Sequence, residues 1–154
     1  MDKYYILTNT KIGELVLIEN DNQQVSGIYL MPHDINGLIN KETALLKKLK
    51  TQLTEYFNKE RKTFDVAIYQ KSTAFEAAVY DVLMKVPYGY TITYGDVSYL
   101  IDNEKAYRAV GSALNKNKLM IVVPCHRVVS KDSLGGFSYG IKIKKMLLDL
   151  EKTS

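Results

Sequence analysis

Hydrophobic positions open the chain in three short runs, YYIL at 4–7, LVLI at 15–18 and VSGIYLM at 25–31. Thr10-Lys11-Ile12-Gly13 and Asn20-Asp21-Asn22 separate them. Runs of this length, broken by turn-forming residues, predict an antiparallel meander. From Lys41 the spacing lengthens. Leu45, Leu46, Leu49, Leu53, Tyr56 and Phe57 recur at helical intervals, with Asn40 as the expected N-cap, and Phe64, Val66 and Ile68 then alternate as in a strand.

Around Gln70 to Ser72 the period changes to 3.6 and stays there, which sets the expected domain boundary: 1–70 and 71–154. Thr73-Ala-Phe-Glu76 has the form of a capping box, followed by Phe75, Ala78, Val79, Val82, Leu83 and Val86 on one face until Pro87 stops the helix. Beyond the turn PYGYT, Thr93 and Asp96 are placed to cap a short helix carrying Val97, Leu100 and Ile101. Asn103 is the expected cap of a second, with Ala106, Ala109, Val110, Ala113 and Leu114 inward. Two short helices joined by a tight polar turn resemble a helix-turn-helix. The chain ends in a helix whose expected inner face is Ile143, Met146, Leu147 and Leu150.

The opposite face of the second short helix carries Arg108, Gly111, Ser112 and Asn115 at i, i+3, i+4 and i+7. It is narrow and holds one cation. Glycine inside a helix costs about 1 kcal/mol relative to alanine, so Gly111 suggests close approach, either of a neighbouring helix or of a nucleic-acid groove. The charge distribution bears on that choice. Residues 1–70 hold nine Lys/Arg and nine Asp/Glu, whereas residues 71–154 hold twelve and eight, so the net charge of +4 lies in the second half. This fits a polyanionic partner and equally a solvated lysine-rich surface.

Composition excludes several classes. No stretch approaches the roughly 20 apolar residues of a membrane span, and MDKYYILTNT has no apolar signal core, so the expected location is the cytoplasm. A single cysteine excludes an internal disulfide. With only two histidines, His33 and His126, far apart, a cysteine-rich zinc site is not expected either. His33, beside Pro32 in an expected turn, reads as a surface residue.

That single cysteine stands in IVVPCHRVVS, residues 121–130. A lone cysteine is ordinarily a small buried hydrophobe. A reactive one needs a base or a cation to favour its thiolate, and His126 and Arg127 adjoin Cys125. Such a histidine needs a third group to fix its tautomer, and Glu151 is one of several acidic candidates. Residue chemistry alone leaves three readings: a cysteine nucleophile beside a DNA-binding-like helix pair, a Cys-His hydrolase, and a non-catalytic helix-turn-helix module with a buried cysteine.

The stretches FEAAVYDVLMKVPYGYTITYGDV, YRAVGSALNKN, IVVPCHRVVS, LGGFSYGI and KKMLLDLE, in this order and spacing, resemble the methylated-DNA-protein-cysteine methyltransferases, or O6-alkylguanine-DNA alkyltransferases. PCHRV with an upstream RAVG is the specific signature. The resemblance covers residues 75–151, and the first 70 match in length and strand-helix pattern. It implies an α+β fold: a ribonuclease-H-like N-terminal domain with a small antiparallel sheet and a helix, and a mostly helical, winged helix-turn-helix-like C-terminal domain. It implies single-turnover repair of double-stranded DNA containing O6-alkylguanine, with O4-alkylthymine as a second candidate, by a monomer without cofactor or metal.

The resemblance also assigns roles. Cys125 matches the alkyl acceptor, His126 the base acting through a water, and Glu151 the carboxylate that orients it. Tyr94 matches the phenol that hydrogen-bonds the guanine ring. Arg108 matches the finger that replaces the flipped nucleotide, on a helix lying in the minor groove. Tyr107, Gly111, Ser112 and Arg127 are grouped with it as expected DNA contacts. Asn117 matches the brace of the turn before the cysteine. Pro124 and Val128 flank the site, and the loop at Phe137, Ser138 and Tyr139 matches a wall of the base pocket. Three features depart from the family pattern. Tyr107 stands where a small residue is usual, and Lys118 where proline commonly follows the asparagine. SKDSLGG is one residue short, with Tyr139 at a usual glycine position.

Overall fold

The computed structural model describes residues 1–152, which divide into two compact units, one ending at Gln70 and one starting at Lys71. In the first, β1 (Asp2–Thr10), β2 (Gly13–Asn20) and β3 (Val25–Leu30) form the meander, in the order β3-β2-β1-β4. The two-residue β4 (Ile39–Asn40) pairs parallel to β1 through Tyr4 and Tyr5. Central β2 is buried from Leu15 to Asn20. Helix α1 (Ala44–Phe57) lays Leu46, Leu49, Leu53, Tyr56 and Phe57 into this core.

Two local expectations need correction. Thr43, not Asn40, caps α1: its Oγ1 accepts from Leu46 N at 3.1 Å and donates to the buried Glu19 carboxylate. Asn40 is drawn into the ladder with β1, which places the helix start three residues later. The alternation at Phe64, Val66 and Ile68 yields one isolated bridge, Val25 to Ile68, in which Val25 N donates to Ala67 O and Val25 O accepts from Tyr69 N. His33 is half-buried and stacks on Tyr29 with ring centroids 3.7 Å apart.

The second unit begins with α2 (Ala74–Met84), whose capping box of Thr73 and Glu76 forms as the sequence predicts. Val79, Tyr80 and Leu83 face inward, and the Tyr80 hydroxyl donates to Ala113 O at 2.7 Å, tying α2 to the helix pair. Next come β5 (Ile92–Thr93) and α3 (Tyr94–Leu100), with a second capping box from Thr93 and Asp96. Helix α4 (Tyr107–Asn115) starts later than Asn103 would place it: Ala106 precedes it and provides no side-chain cap. Residues 101–106 form the turn, with Asp102 at φ +58°, so Asn103 is consumed in reversing the chain. Val110, Ala113 and Leu114 are buried as expected, whereas Ala109 is exposed.

After α4 come one turn of 3-10 helix (Cys125–Arg127), β6 (Val128–Val129), parallel to β5, and α5 (Ile141–Lys152). The buried face of α5 is Lys144, Leu147 and Glu151, at i, i+3 and i+7. Met146 is exposed and Ile143 and Leu150 are half-buried. Hydropathy selects the wrong stripe here because two charged side chains are inside.

Candidate active site and nucleic-acid interface

Cys125 lies in the 3-10 turn, buried but bordering a cleft of about 170 Å³ lined by Tyr94, Gly111, Leu114, Asn115, Gly136, Phe137 and Ser138. The preceding segment is held under strain. Ile121 adopts φ +72°, a conformation that costs a β-branched residue on the order of 1–3 kcal/mol. Asn117 braces it from both ends. Its Nδ2 donates to Val123 O at 2.8 Å and its Oδ1 accepts from Leu119 N at 3.1 Å. Pro124 O accepts from Arg127 N and closes the turn that points Cys125 and His126 to their places.

Behind the thiol sits a charged cluster almost without water. His126 is 0% exposed, and its Nε2 lies 2.6 Å from Glu151 Oε2. A carboxylate can only accept, so Nε2 carries the proton and Nδ1 keeps its lone pair. Nδ1 has no hydrogen-bond partner among the described residues. The same carboxylate takes a fork from Arg127, Nε to Oε1 at 2.8 Å and Nη2 to Oε2 at 3.1 Å, while Arg127 Nη1 donates to Val86 O at 2.8 Å. Arg127, expected among the DNA contacts, is therefore a buried strut between α5 and the end of α2. Its fork matches a carboxylate better than a solvent-facing role would require.

Burial pushes the Cys125 thiol up, against the pull of Asn117 and Lys144. Burial also holds His126 below the usual imidazole range, although Glu151 opposes this. The sign of the pH dependence follows. The unfolded histidine takes a proton near its ordinary pKa of 6.5, and the folded one resists until lower pH. Stability contributed by neutral His126 is thus complete above 6.5 and declines as the pH falls towards the folded pKa. Below that second pKa, Nδ1 is occupied and proton acceptance ends. We expect denaturation midpoints to begin falling below pH 6.5, and the reactivity of Cys125 to fall at a lower pH. Coincident loss of both would show that His126 is not held neutral.

This constellation has known counterparts. Residues 74–153 match the family described as 6-O-methylguanine DNA methyltransferase, DNA binding domain, and residues 3–69 match the ribonuclease-like domain of 6-O-methylguanine DNA methyltransferase. A constitutive methylated-DNA–protein-cysteine methyltransferase of Bacillus subtilis is 38% identical, over 98% of this chain and 96% of that protein. The chain belongs to this family. Among solved structures, an O6-methylguanine methyltransferase of Mycobacterium tuberculosis superposes with a TM-score of 0.90 at 32% identity, covering 99% of this chain and 94% of the other. The same organism's OGT in complex with DNA gives the same score and identity, with 97% and 93% covered.

Seen as a member of the family, the molecule divides the expected residues into two groups. Tyr94, Phe137 and Ser138 line the cleft beside Cys125. The Ser138 hydroxyl donates to Asn115 Oδ1 at 3.2 Å, which links the loop to the end of α4. Tyr139 is not among the residues lining the cleft; its ring sits edge-on to Phe137 with centroids 5.9 Å apart. Arg108, Tyr107 and Ser112 are exposed on α4. A Cβ built on Gly111 would meet nothing within 4 Å, so no neighbouring helix explains that glycine, which lines the cleft beside Cys125.

Two residues escaped the sequence reading. Gly135, at φ +74°, lies where a Cβ would come within 2.8 Å of the Tyr94 hydroxyl, so this glycine makes room for the phenol. Lys144 is fully buried, and its Nζ donates to Val128 O at 2.5 Å and Gly136 O at 3.0 Å. The glycine was legible in LGGFSYG only as a turn, and the lysine carried no signal in a helix rich in lysine. Val128 has a further role, pairing with Ile92 to dock β6 on β5. Among the described residues, no group of three or more His, Cys, Asp or Glu is placed to hold a metal ion, and no helix is long and apolar enough to cross a membrane.

Proposed function

We propose that this chain repairs alkylated double-stranded DNA by moving the alkyl group of O6-alkylguanine to Cys125, once per molecule, acting as a monomer in the cytoplasm. One observation carries the reading: the only thiol of the chain borders a small cleft beside an imidazole whose far nitrogen is fixed by a buried carboxylate and whose near nitrogen is free to accept a proton.

The chemistry balances without a cofactor. The thiol proton passes to His126 Nδ1 directly or through a water, and the Sγ–C bond forms as the C–O6 bond breaks. Guanine leaves with the electron pair of the broken bond and takes up one proton, equal to the one the thiol gave. Tyr94, at the N-terminus of α3, is placed to hydrogen-bond the departing ring. The product thioether has no low-barrier route back, so the protein is consumed.

An alkyl group on O6 is hidden in the stacked duplex, so the nucleotide must be extruded, at a cost of a few kcal/mol. Exposed Arg108 on a helix face with Gly111 and Ser112 supplies a side chain to fill the gap, and Tyr107 beside it adds a surface for stacking. Intact-protein mass after incubation with a duplex carrying O6-methylguanine should rise by one methyl group, located on Cys125, and then stay constant. Demethylation beyond one equivalent, or no mass change, would sink the reading.

The role of Arg108 has its own test. Arg108→Ala should slow transfer from duplex DNA by roughly tenfold or more while changing the reaction with free O6-methylguanine base little, because only the duplex requires extrusion. Equal loss on both substrates would assign Arg108 to something other than flipping.

A further inference from the structure

Lys144 is a cation in the wrong place for a merely structural residue. It is 0% exposed, and no carboxylate pairs with it among the described residues. Uncompensated burial costs several kcal/mol per ion. Its ammonium bridges two backbone carbonyls, Val128 O just after the Cys-His-Arg turn and Gly136 O in the loop that supplies Phe137 and Ser138 to the cleft. A neutral amide would satisfy both carbonyls with a smaller desolvation penalty, so the two hydrogen bonds explain a donor here but not a charge.

The surroundings suggest what the charge serves. Lys144 Nζ lies 5.9 Å from the centroid of the Tyr94 ring, a cleft wall. Its charge acts on Cys125, favouring the thiolate, and Cys125 in turn favours the protonated lysine. On α5 it lies seven residues before Glu151, on the same buried face. Two turns of one helix therefore present a carboxylate to His126 and an ammonium to the two carbonyls that join the cysteine segment to the cleft loop.

We propose that Lys144 is a positioning residue of the transfer reaction, a buried cation that holds the loop wall of the cleft to the cysteine segment and offers its positive charge to the Cys125 thiolate. The inference rests on Cys125 being the reacting group. When the thiol proton has gone to His126, sulfur carries a full negative charge in a site that water scarcely reaches. The ammonium lowers the cost of that state without moving. It is a suitable group for this, since burial brings its own pKa down to about 8 even with the opposing pull of Cys125, which leaves it largely protonated at neutral pH. The groups facing the thiol that share in its titration are Tyr80 from α2, Asn117 from the bracing segment, His126 from the same turn and Lys144 from α5. Tyr80 is held at about 12 and stays neutral throughout the range of interest.

The test uses the sole cysteine as its own reporter. The pH dependence of iodoacetamide addition to Cys125, followed by intact mass, is measured for the unaltered protein, Lys144→Gln and Lys144→Arg. Lys144→Gln should move the profile to higher pH by on the order of one unit, the lower end of what an opposite charge produces. Lys144→Arg should restore most of it. In transfer from O6-methylguanine duplex, Lys144→Gln should be slower by about tenfold at neutral pH, the same shift expressed as a rate. DNA affinity should stay unchanged.

A measurement on the unaltered sequence covers the case in which no variant folds. The 13Cε resonance of Lys144 should respond to the ionisation of Cys125 and lose that response once Cys125 carries a carbamidomethyl group, because the thiol that can become an anion is then gone. An unmoved alkylation profile in Lys144→Gln, or an unmoved Lys144 titration after carbamidomethylation, overturns the inference. Neither readout needs DNA. Absence of methyl transfer in the unaltered protein would overturn the proposed repair function and leave the ammonium–thiolate coupling standing or falling on its own data.

Discussion

Cys125→Ser should abolish methyl transfer from O6-methylguanine DNA while leaving binding to the duplex near its original strength. Serine keeps the shape of the side chain and loses the acidity that the reaction requires. In the proposed mechanism the thiol, although burial pushes it up, gives its proton to His126, and Asn117 and Lys144 pull its pKa back down. A hydroxyl in the same environment has no accessible anion at neutral pH, and the base behind it cannot make up the difference. The cost to folding is small by comparison, no more than about 1–3 kcal/mol even if the buried hydroxyl found no partner. The face proposed to meet DNA is elsewhere, on the exposed Tyr107, Arg108 and Ser112 of α4. Intact mass and a gel-shift or anisotropy titration on the same sample separate the two effects. Mass gain in Cys125→Ser would remove Cys125 as acceptor, and loss of binding along with transfer would show that the substitution had damaged the fold.

The second large effect is expected at Glu151. Its carboxylate is 2% exposed and accepts from His126 Nε2 and twice from Arg127. Removing it with Glu151→Ala strands a buried guanidinium, and breaking one partner of a buried pair costs about 3–5 kcal/mol. A large fall in denaturation midpoint is therefore expected, with little soluble protein at elevated temperature. Glu151→Gln discriminates stability from chemistry. The amide keeps the volume and can still accept from Arg127, but it no longer requires His126 Nε2 to be the protonated nitrogen. The tautomer that leaves Nδ1 free is then unsupported, and transfer should slow by roughly a hundredfold or more, with DNA affinity close to normal. A Glu151→Gln protein that transfers at the original rate would reduce the carboxylate to a structural anchor for Arg127.

Much of this molecule is legible along the chain because the signals are local. Capping boxes at Thr73 and Thr93 need only a side chain and a backbone group three residues apart, and both form. The strands of the meander follow from runs of apolar residues ended by turns, and the sequence locates them to within three residues. The pairing of Cys125 with His126 is adjacent in sequence. The position of Arg108 on the polar face of α4 follows from helical spacing alone.

Where the reading failed, competition between partners distant in sequence decided the outcome. Asn40 lost its place as a cap because β1 took it as a strand partner, and the segment with Phe64, Val66 and Ile68 makes a single bridge to the edge strand β3. The buried face of α5 is shifted around Leu147 for the same reason. Hydropathy turns Lys144 and Glu151 outward, yet Val128 O, Gly136 O, His126 and Arg127 give both charges partners that water would otherwise supply. Arg127 shows the point most sharply, since nothing beside it in sequence tells whether its guanidinium meets a phosphate outside or a carboxylate inside. The sequence by itself determined the strands of the meander, the capped helices, the helix pair and the reactive dipeptide, all of which rest on contacts within a few residues. The tertiary structure alone decided which charges are buried, which nitrogen of His126 is left free, and that Tyr139 packs on Phe137. Those outcomes depend on how well an ion is paired once water has been excluded, and the pairing groups are supplied by segments that meet only when the chain has folded.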